Sequence, residues 1–218
     1  MQANRHATFS FLFFIGSLLV SMVIVPGVLE VSGAQQSKSL QTKDDKSVSV
    51  VSQNLNENLL VSINKRLLND LVSASYRFLY MSTYFGRADV ALPGFSKYFR
   101  KLSERELEHA NFLMAYLNKR GGYVEFRNVE GPTKTHWLDG LDAMYSAFEI
   151  EKSLTDRLLS LHRKASKYDD PHMTHIIEDK YLDPQVDIIK EISDHIANLS
   201  KMMGENYGLG EYVFDNDL

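Results

Sequence analysis

Two carboxylates, a histidine and an amide stand where the helical pattern of this sequence predicts buried side chains. Glu106 and His109 are three residues apart, so both project from one face of a helix. Glu151 and Gln185 each interrupt the apolar stripe of a later helix. A buried carboxylate is costly unless a cation or a donor compensates it, and two of them facing one core also repel each other. A bound multivalent cation resolves both problems, so we interpret these four residues as metal ligands in a bundle core.

A purely structural role for the same residues is the competing interpretation. The pattern Glu-x-x-His occurs on many helices by chance and usually faces solvent. Glu151 would then pair with a buried lysine or arginine, and Gln185 would hydrogen-bond a tyrosine. The metal interpretation is favoured because the four residues fall on the inward stripes of three separate helices.

Composition limits the kind of metal and the kind of partner. The chain contains no cysteine, which excludes disulfides, zinc thiolate sites and iron–sulfur clusters. Any metal is therefore held by oxygen and nitrogen ligands, which suit iron, manganese, calcium or magnesium. The formal charge of -4 leaves no basic surplus for binding nucleic acid.

The elements that position these residues are helices bounded by clear start and stop signals. The first is predicted over about residues 56–85, where apolar residues recur every three or four positions until Gly86. The second begins at Pro93 and ends at Gly121. A long connection to about Asp139 follows, which is typical of a crossover between distant ends of a bundle.

Two further long helices and a short one complete the prediction. The third carries Glu151, and the fourth is capped by Asp170 with Pro171 in its first turn. Pro184 lies inside the fourth pattern and predicts a kink beside Gln185. Residues 208–218 are predicted to form a short fifth helix. The sequence therefore predicts an all-α four-helix bundle with one long crossover and a short C-terminal helix, over residues 55–218.

The first helix offers no ligand to the predicted site. Its inward stripe is apolar throughout, and Asp70 lies about 100° around the helix from Leu71. A complete two-iron site in a bundle draws a carboxylate from each of four helices. The site is therefore predicted to be incomplete.

The N-terminus has the pattern of a secretory signal. Arg5 and His6 precede an apolar run, and the small residues of 32–34 favour cleavage after Ala34. We interpret 1–34 as a signal peptide, 35–54 as a disordered tail and the protein as secreted, with no membrane attachment after cleavage. The alternative is an uncleaved membrane anchor, since the apolar run approaches spanning length. A glycosylation sequon begins at Asn198, and its place inside a helix beside a core leucine favours non-use.

At these residues the chain resembles the ferritins, over nearly its whole length after Asn54. Five stretches together carry the resemblance: Tyr-Phe-Gly-Arg-Ala-Asp-Val-Ala-Leu at 84–92, Arg-Glu-Leu-Glu-His-Ala at 105–110, Asn-Lys-Arg-Gly-Gly at 118–122, Asp-Pro-His at 170–172 and Tyr-Val-Phe-Asp at 212–215. The resemblance implies iron as the bound metal. It also implies a hollow shell of twenty-four subunits, made of this chain alone or with other ferritin subunits, that stores ferric oxyhydroxide.

The resemblance also assigns roles to single positions. Glu106, His109, Glu151 and Gln185 match ligands or neighbours of the ferroxidase centre of heavy chains. In that pattern the first helix supplies a Glu where this chain has Leu71 and a Tyr where it has Phe78, so low or no ferroxidase activity is expected. Light chains instead promote mineral growth through a carboxylate cluster on the second helix. That cluster is largely absent here, where the matching surface reads Lys97, Arg100, Lys101 and Glu104.

The resemblance further implies a channel on a three-fold axis through which iron enters the shell. His162 and Glu178 match residues of this channel, and His175 stands where an Asp is usual. A ring of glutamates with histidines outside attracts Fe²⁺ less strongly than six carboxylates and depends more on pH. The competing interpretation treats His172 and His175 as ordinary residues at a helix start.

Three hypotheses of function follow. The leading one is a secreted, light-chain-like iron-storage subunit that assembles with an active partner. The second is a weakened but autonomous ferroxidase that oxidises Fe²⁺ with O₂, with one iron held by Glu106, Glu151 and Gln185. The third is a structural bundle or an iron carrier without a mineral.

Overall fold

The computed structural model describes residues 55–218, which form five helices and no strand. Three helices are regular: α2 is Pro93–Lys119, α3 is Gly140–Lys167 and α5 is Tyr207–Asp217. Helix α1 comprises Glu57–Ser62 and Leu68–Phe85, separated by a π-helical turn, Ile63–Leu67. Helix α4 comprises Pro171–Ile177 and Asp183–Lys201, separated by a second π-helical turn, Glu178–Leu182. The predicted bundle with a short fifth helix is confirmed. The predicted signal peptide, 1–34, and tail, 35–54, lie outside the described residues.

The long helices pack in two pairs, α1 with α2 and α3 with α4, around one apolar core. A pair of buried serines fixes the register of the first pair, since the Ser103 hydroxyl donates to the Ser75 carbonyl oxygen at 2.8 Å. The helix ends follow the predicted signals. Pro93 occupies the first turn of α2, and the chain leaves that helix through Gly121 at φ 72°. The Asp170 carboxylate caps α4 by accepting from the Met173 amide at 2.9 Å.

The crossover between α2 and α3 is anchored at both of its ends. Near its start, buried Asn64 of the first π-helical turn donates to the Tyr123 carbonyl at 2.9 Å and accepts from the Glu125 amide at 3.0 Å. Near its end, Trp137 is buried with its ring centroid 5.0 Å from that of Tyr84. The indole nitrogen donates to the Ser146 hydroxyl of α3 at 3.0 Å.

The irregularity predicted beside Gln185 takes the form of the π-helical turn Glu178–Leu182, which ends just before Pro184. Proline cannot donate to the preceding turn, and the wider turn accommodates that missing hydrogen bond. The turn leaves Tyr181 and Gln185 buried in the core. Asn198 of the sequon is exposed, next to fully buried Leu199.

Helix α5 closes one end of the bundle by binding the free amides at the start of α2 and α3. Asp215 Oδ1 accepts from the Phe95 amide at 2.8 Å. The Tyr207 hydroxyl accepts from the Leu141 amide at 3.2 Å. These contacts satisfy donors that helix starts leave without intrahelical partners. Within residues 55–218, no helix is both long enough and apolar enough to cross a membrane.

Candidate metal centre

Three of the predicted ligands meet in the middle of the bundle. Glu106 of α2, Glu151 of α3 and Gln185 of α4 are all buried, and neither glutamate has any exposed surface. The Gln185 amide nitrogen donates to Glu151 Oε2 at 2.6 Å and to the Glu151 carbonyl oxygen at 3.0 Å. The inward orientation predicted for these side chains is therefore present.

An arginine that the periodicity did not single out lies between the two glutamates. One terminal nitrogen of the Arg105 guanidinium is 2.7 Å from Glu106 Oε1 and 2.8 Å from Glu151 Oε2. Its Nε also donates to Glu106 Oε1, at 2.8 Å. The Arg105 side chain is only 20% exposed. A single guanidinium thus supplies the positive charge that the carboxylate pair requires.

The charges at this centre are strongly coupled. Burial and, next, the nearby Glu106 carboxylate together raise the pKa of Glu151 to about 7, against the opposing effects of Arg105 and Gln185. Burial also acts to raise the pKa of Glu106, but His109 and Arg105 outweigh it, so this pKa lies below its ordinary value. Both carboxylates raise the pKa of Arg105, although burial opposes them. Glu106 and Arg105 are therefore an ionised pair, and of the two carboxylates Glu151 binds a proton more readily.

The fourth predicted ligand sits at the edge of the centre. His109 Nδ1 lies 3.4 Å from Glu106 Oε2, and its side chain is 16% exposed. The Tyr181 hydroxyl donates to the His109 carbonyl oxygen at 3.0 Å. Within residues 55–218, no group of three histidine, aspartate or glutamate side chains is arranged to hold a metal ion. Glu151 Oε1 is nevertheless buried without a hydrogen-bond partner.

Helix α1 brings only apolar side chains to this level of the bundle. Since Ser75 and Ser103 pair across antiparallel helices, Leu71 lies one turn along, level with the turn of α2 that carries Glu106. Leu71 and Phe78 are both fully buried. Asp70 points elsewhere, with its Oδ2 atom 3.0 Å from Nε of Arg157 on α3. The residues of this centre therefore fit a metal ion poorly, because one helix provides no ligand and an arginine binds both carboxylates.

Comparison with known proteins identifies the fold and its lineage. The family model for the ferritin-like domain matches residues 64–202. The chain belongs to the ferritin family. It is 43% identical to the soma ferritin of Lymnaea stagnalis over 171 residues, which cover 78% of this chain and 96% of that protein. It is 42% identical over 167 residues both to the lower subunit ferritin of Aquarana catesbeiana and to the middle subunit ferritin of Salmo salar. These matches cover 77% of this chain, and 96% and 94% of the respective relatives.

The residues predicted for the iron channel of this ferritin chain are partly brought together. His162 Nε2 of α3 lies 2.6 Å from Glu178 Oε1, at the first residue of the second π-helical turn. His175 is exposed, one turn before Glu178. His172 has a different role, because its ring stacks on Tyr116 and its Nδ1 lies 3.0 Å from the Tyr116 hydroxyl.

The surface of α2 that carries a carboxylate cluster in light-chain ferritins is basic and exposed here. Lys97, Arg100, Lys101 and Glu104 all lie on the outside of the bundle. Lys101 Nζ is 3.8 Å from Glu191 Oε1 of α4, a long and exposed ion pair. This surface therefore presents more positive than negative charge.

Proposed function

We propose that this chain is an iron-storage ferritin subunit whose ferroxidase centre is incomplete and is neutralised by its own arginine. The observation that carries the proposal is the Arg105 guanidinium bound to Glu106 and Glu151. In this proposal iron is the cargo of the assembled shell, held as ferric oxyhydroxide. The oxidation of Fe²⁺ at this centre is slow or absent.

The electrostatics of burial support this proposal. Two carboxylates in a closed core need a compensating cation, and Arg105 provides one permanently. Iron would have to displace the guanidinium and then bind a centre to which α1 contributes Leu71 and Phe78. Displacement costs the ion pairs of Arg105, and the missing side chains prevent iron from recovering that cost.

A subunit of this kind needs an active partner for rapid iron uptake. We propose that it assembles into a shell of twenty-four subunits together with ferroxidase-competent ferritin chains. Iron would enter through the three-fold channel at His162, His175 and Glu178. The relatives named lower and middle subunit ferritins support assembly from more than one kind of chain. We further propose that the shell is secreted, on the strength of the signal-like pattern in residues 1–34.

The experiment restores the centre step by step in iron-free homopolymer. We expect the triple variant Leu71→Glu, Phe78→Tyr, Arg105→Gln to oxidise Fe²⁺ about tenfold faster than the parent or more, because it regains the missing carboxylate ligand and the tyrosine and loses the competing cation. The double variant Leu71→Glu, Phe78→Tyr retains Arg105 and should gain much less. Stopped-flow absorbance after addition of Fe²⁺ measures the rates, and particle size with thermal melting verifies assembly.

An autonomous, weakened ferroxidase is the second candidate, and one observation favours it. The unpartnered Glu151 Oε1 is a buried acceptor available to a cation without any loss of hydrogen bonds. In that case the parent homopolymer oxidises Fe²⁺ well above the uncatalysed rate, and Glu151→Gln abolishes the difference. This result would contradict the neutralised-centre proposal.

A further inference from the structure

A small basic recess lies between α1 and α3, away from the carboxylate centre. It is shallow and open to solvent, and it is lined by Arg66, Arg157 and Lys164 together with Ser62 and Ser160. Three cationic side chains therefore converge on one site in a chain whose formal charge is -4. Like charges gathered in this way repel one another unless an anion lies between them.

Helical spacing accounts for the convergence. Ser62 directly precedes the π-helical turn of α1 and Arg66 lies within it, four residues further on, and both line the recess towards α3. Arg157, Ser160 and Lys164 are three and four residues apart on α3, which places them on one stripe of that helix. The two stripes meet across the groove, and the recess lies where they meet.

The charges of the recess are only partly compensated within the chain. Arg157 Nε lies 3.0 Å from Asp70 Oδ2, and this is the one carboxylate paired with any of the three cations within residues 55–218. Arg66 is exposed and forms no ion pair within 4 Å in residues 55–218, although its charge acts at longer range to lower the pKa of the same Asp70. The recess therefore carries a net charge of about +2 on its side chains.

The hydroxyl groups complete a set of donors. Lys164 Nζ donates to Ser62 Oγ at 2.8 Å, so the hydroxyl hydrogen of Ser62 remains available for donation to another group. Ser160 makes no side-chain hydrogen bond within the described part of the chain and lies one turn before Lys164. Guanidinium, ammonium and hydroxyl donors arriving from two helices match an acceptor with several oxygens pointing in different directions.

We infer that the recess between α1 and α3 binds one tetrahedral oxyanion per chain, with inorganic phosphate as the ligand. The site is independent of the proposed storage function, because none of its residues belongs to the carboxylate centre or to the three-fold channel. Phosphate fits better than a carboxylate, since its charge is close to the net charge of the recess and all four of its oxygens accept hydrogen bonds.

The test is a calorimetric titration of iron-free protein with inorganic phosphate at constant ionic strength. We expect one phosphate per subunit, and at least about tenfold weaker binding to the double variant Arg66→Gln, Lys164→Gln. The matched control is Lys65→Gln, Arg163→Gln, which removes two positive charges from exposed neighbours on the same helices without touching the recess. The control should bind phosphate within about twofold of the parent, since screening at physiological salt weakens the effect of distant charges.

Either of two other outcomes would overturn the inference. Absence of phosphate binding at one equivalent per subunit would show that the recess is only a solvated basic surface. Equal losses in the two double variants would assign binding to the overall charge. Both variants alter exposed or half-exposed side chains, so thermal melts and particle size are expected to match those of the parent, and this is measured before the titration.

Discussion

Glu151 is the residue whose protonation depends most directly on the bundle around it. Its carboxylate is fully buried, one of its oxygens has no donor, and the Glu106 carboxylate shares its guanidinium partner. These conditions raise its pKa from 4.5 to about 7. The folded protein therefore binds a proton at Glu151 more tightly than the unfolded chain does, and the favourable contribution is complete below about pH 4.5 and is lost as pH rises through 7.

This sign gives a prediction for Glu151→Gln. Between pH 5 and pH 8 the stability of the iron-free parent should fall relative to the variant by about 2 to 3 kcal/mol, because glutamine does not titrate. The loss of one partner of Arg105 adds an offset that does not change with pH in this range. Denaturant melts at several pH values measure the difference.

Glu149→Gln is the control for that measurement, because Glu149 is exposed two residues away on the same helix. Its stability should follow the parent at every pH. If the melts of Glu151→Gln and the parent run parallel from pH 5 to pH 8, the buried carboxylate does not titrate in this range and the electrostatic description of the centre is wrong.

Residue types and spacing predicted the carboxylate pair and Gln185 but not Arg105. Periodicity assigns a position to a face, and Arg105 lies about 100° from Glu106 around the helix. Its long side chain curves back into the core, which depends on the space left between helices and is not visible in a stripe. The competing structural interpretation expected a buried lysine or arginine beside Glu151, and Arg105 is that residue. The sequence did not identify which lysine or arginine it would be.

Among the elements, the π-helical turn of α1 determines where the crossover begins. The turn contains buried Asn64, whose amide binds the backbone of Tyr123 and Glu125 as a neighbouring strand would. An extra residue in a helical turn redirects the side chains on that turn, and such turns are frequent at functional positions. Here the effect is to fix an extended segment on the bundle surface with a single side chain.

Asn64→Ala should therefore release the start of the crossover. Two backbone groups lose their partners, and we expect a loss of about 2 kcal/mol in the free energy of unfolding. Hydrogen exchange of the amides in 123–130 should accelerate more than exchange in α2. Asn118→Ala, at an exposed asparagine of α2, is the control and should leave both measurements unchanged.

The packing of α5 against the start of α2 depends on the absence of a side chain at Gly94. A Cβ atom there would lie 1.8 Å from the Asp215 carbonyl oxygen, so α5 cannot approach α2 as closely in Gly94→Ala. We expect this variant to lose the hydrogen bond between Asp215 and the Phe95 amide. Protection of residues 207–217 from hydrogen exchange and proteolysis should fall, whereas the four long helices should remain protected.

Gly131→Ala provides the matched control for α5. No atom lies within 4 Å of the Cβ that alanine would add at this loop position. Protection of α5 should therefore equal that of the parent. Unchanged protection in Gly94→Ala as well would show that α5 does not depend on its close contact with the start of α2.

Element boundaries were more predictable than element faces. Pro93, Gly121 and Asp170 act through local backbone geometry and capping, so the ends that they predict agree with the structure. Burial along α3 was harder to predict, because Phe148, which continues the apolar spacing of Leu141 and Met144, is only partly buried. Four further apolar residues of α3 are buried beside Met144 and Leu158: Ala147, Ile150, Leu154 and Leu161. The two π-helical turns had no signal in the sequence apart from Pro184, because they depend on tertiary packing.

At the scale of the whole molecule, the N-terminal sequence predicts where the protein works. Residues 1–34 have the charge, apolar run and small residues of a secretory signal. We predict that secreted protein begins near Gln35, which N-terminal sequencing of material from the culture medium determines. A variant without residues 2–34 should remain inside the cell. Recovery of the intact chain from Met1 in the membrane fraction would favour an uncleaved anchor.

Trp137 gives the molecule a built-in optical reporter, because it is the only tryptophan of the chain. Its indole is buried against Tyr80, Tyr84 and Phe85 and is held to α3 by Ser146. All indole emission therefore originates from one place, where the end of the crossover packs against α1 and α3. Excitation of the tyrosines beside it should transfer energy to the indole while the crossover is packed against the bundle. Release of the crossover from the bundle would shift the emission to longer wavelength and make the indole accessible to quenching by acrylamide. Intrinsic fluorescence therefore reports the position of this segment without any label.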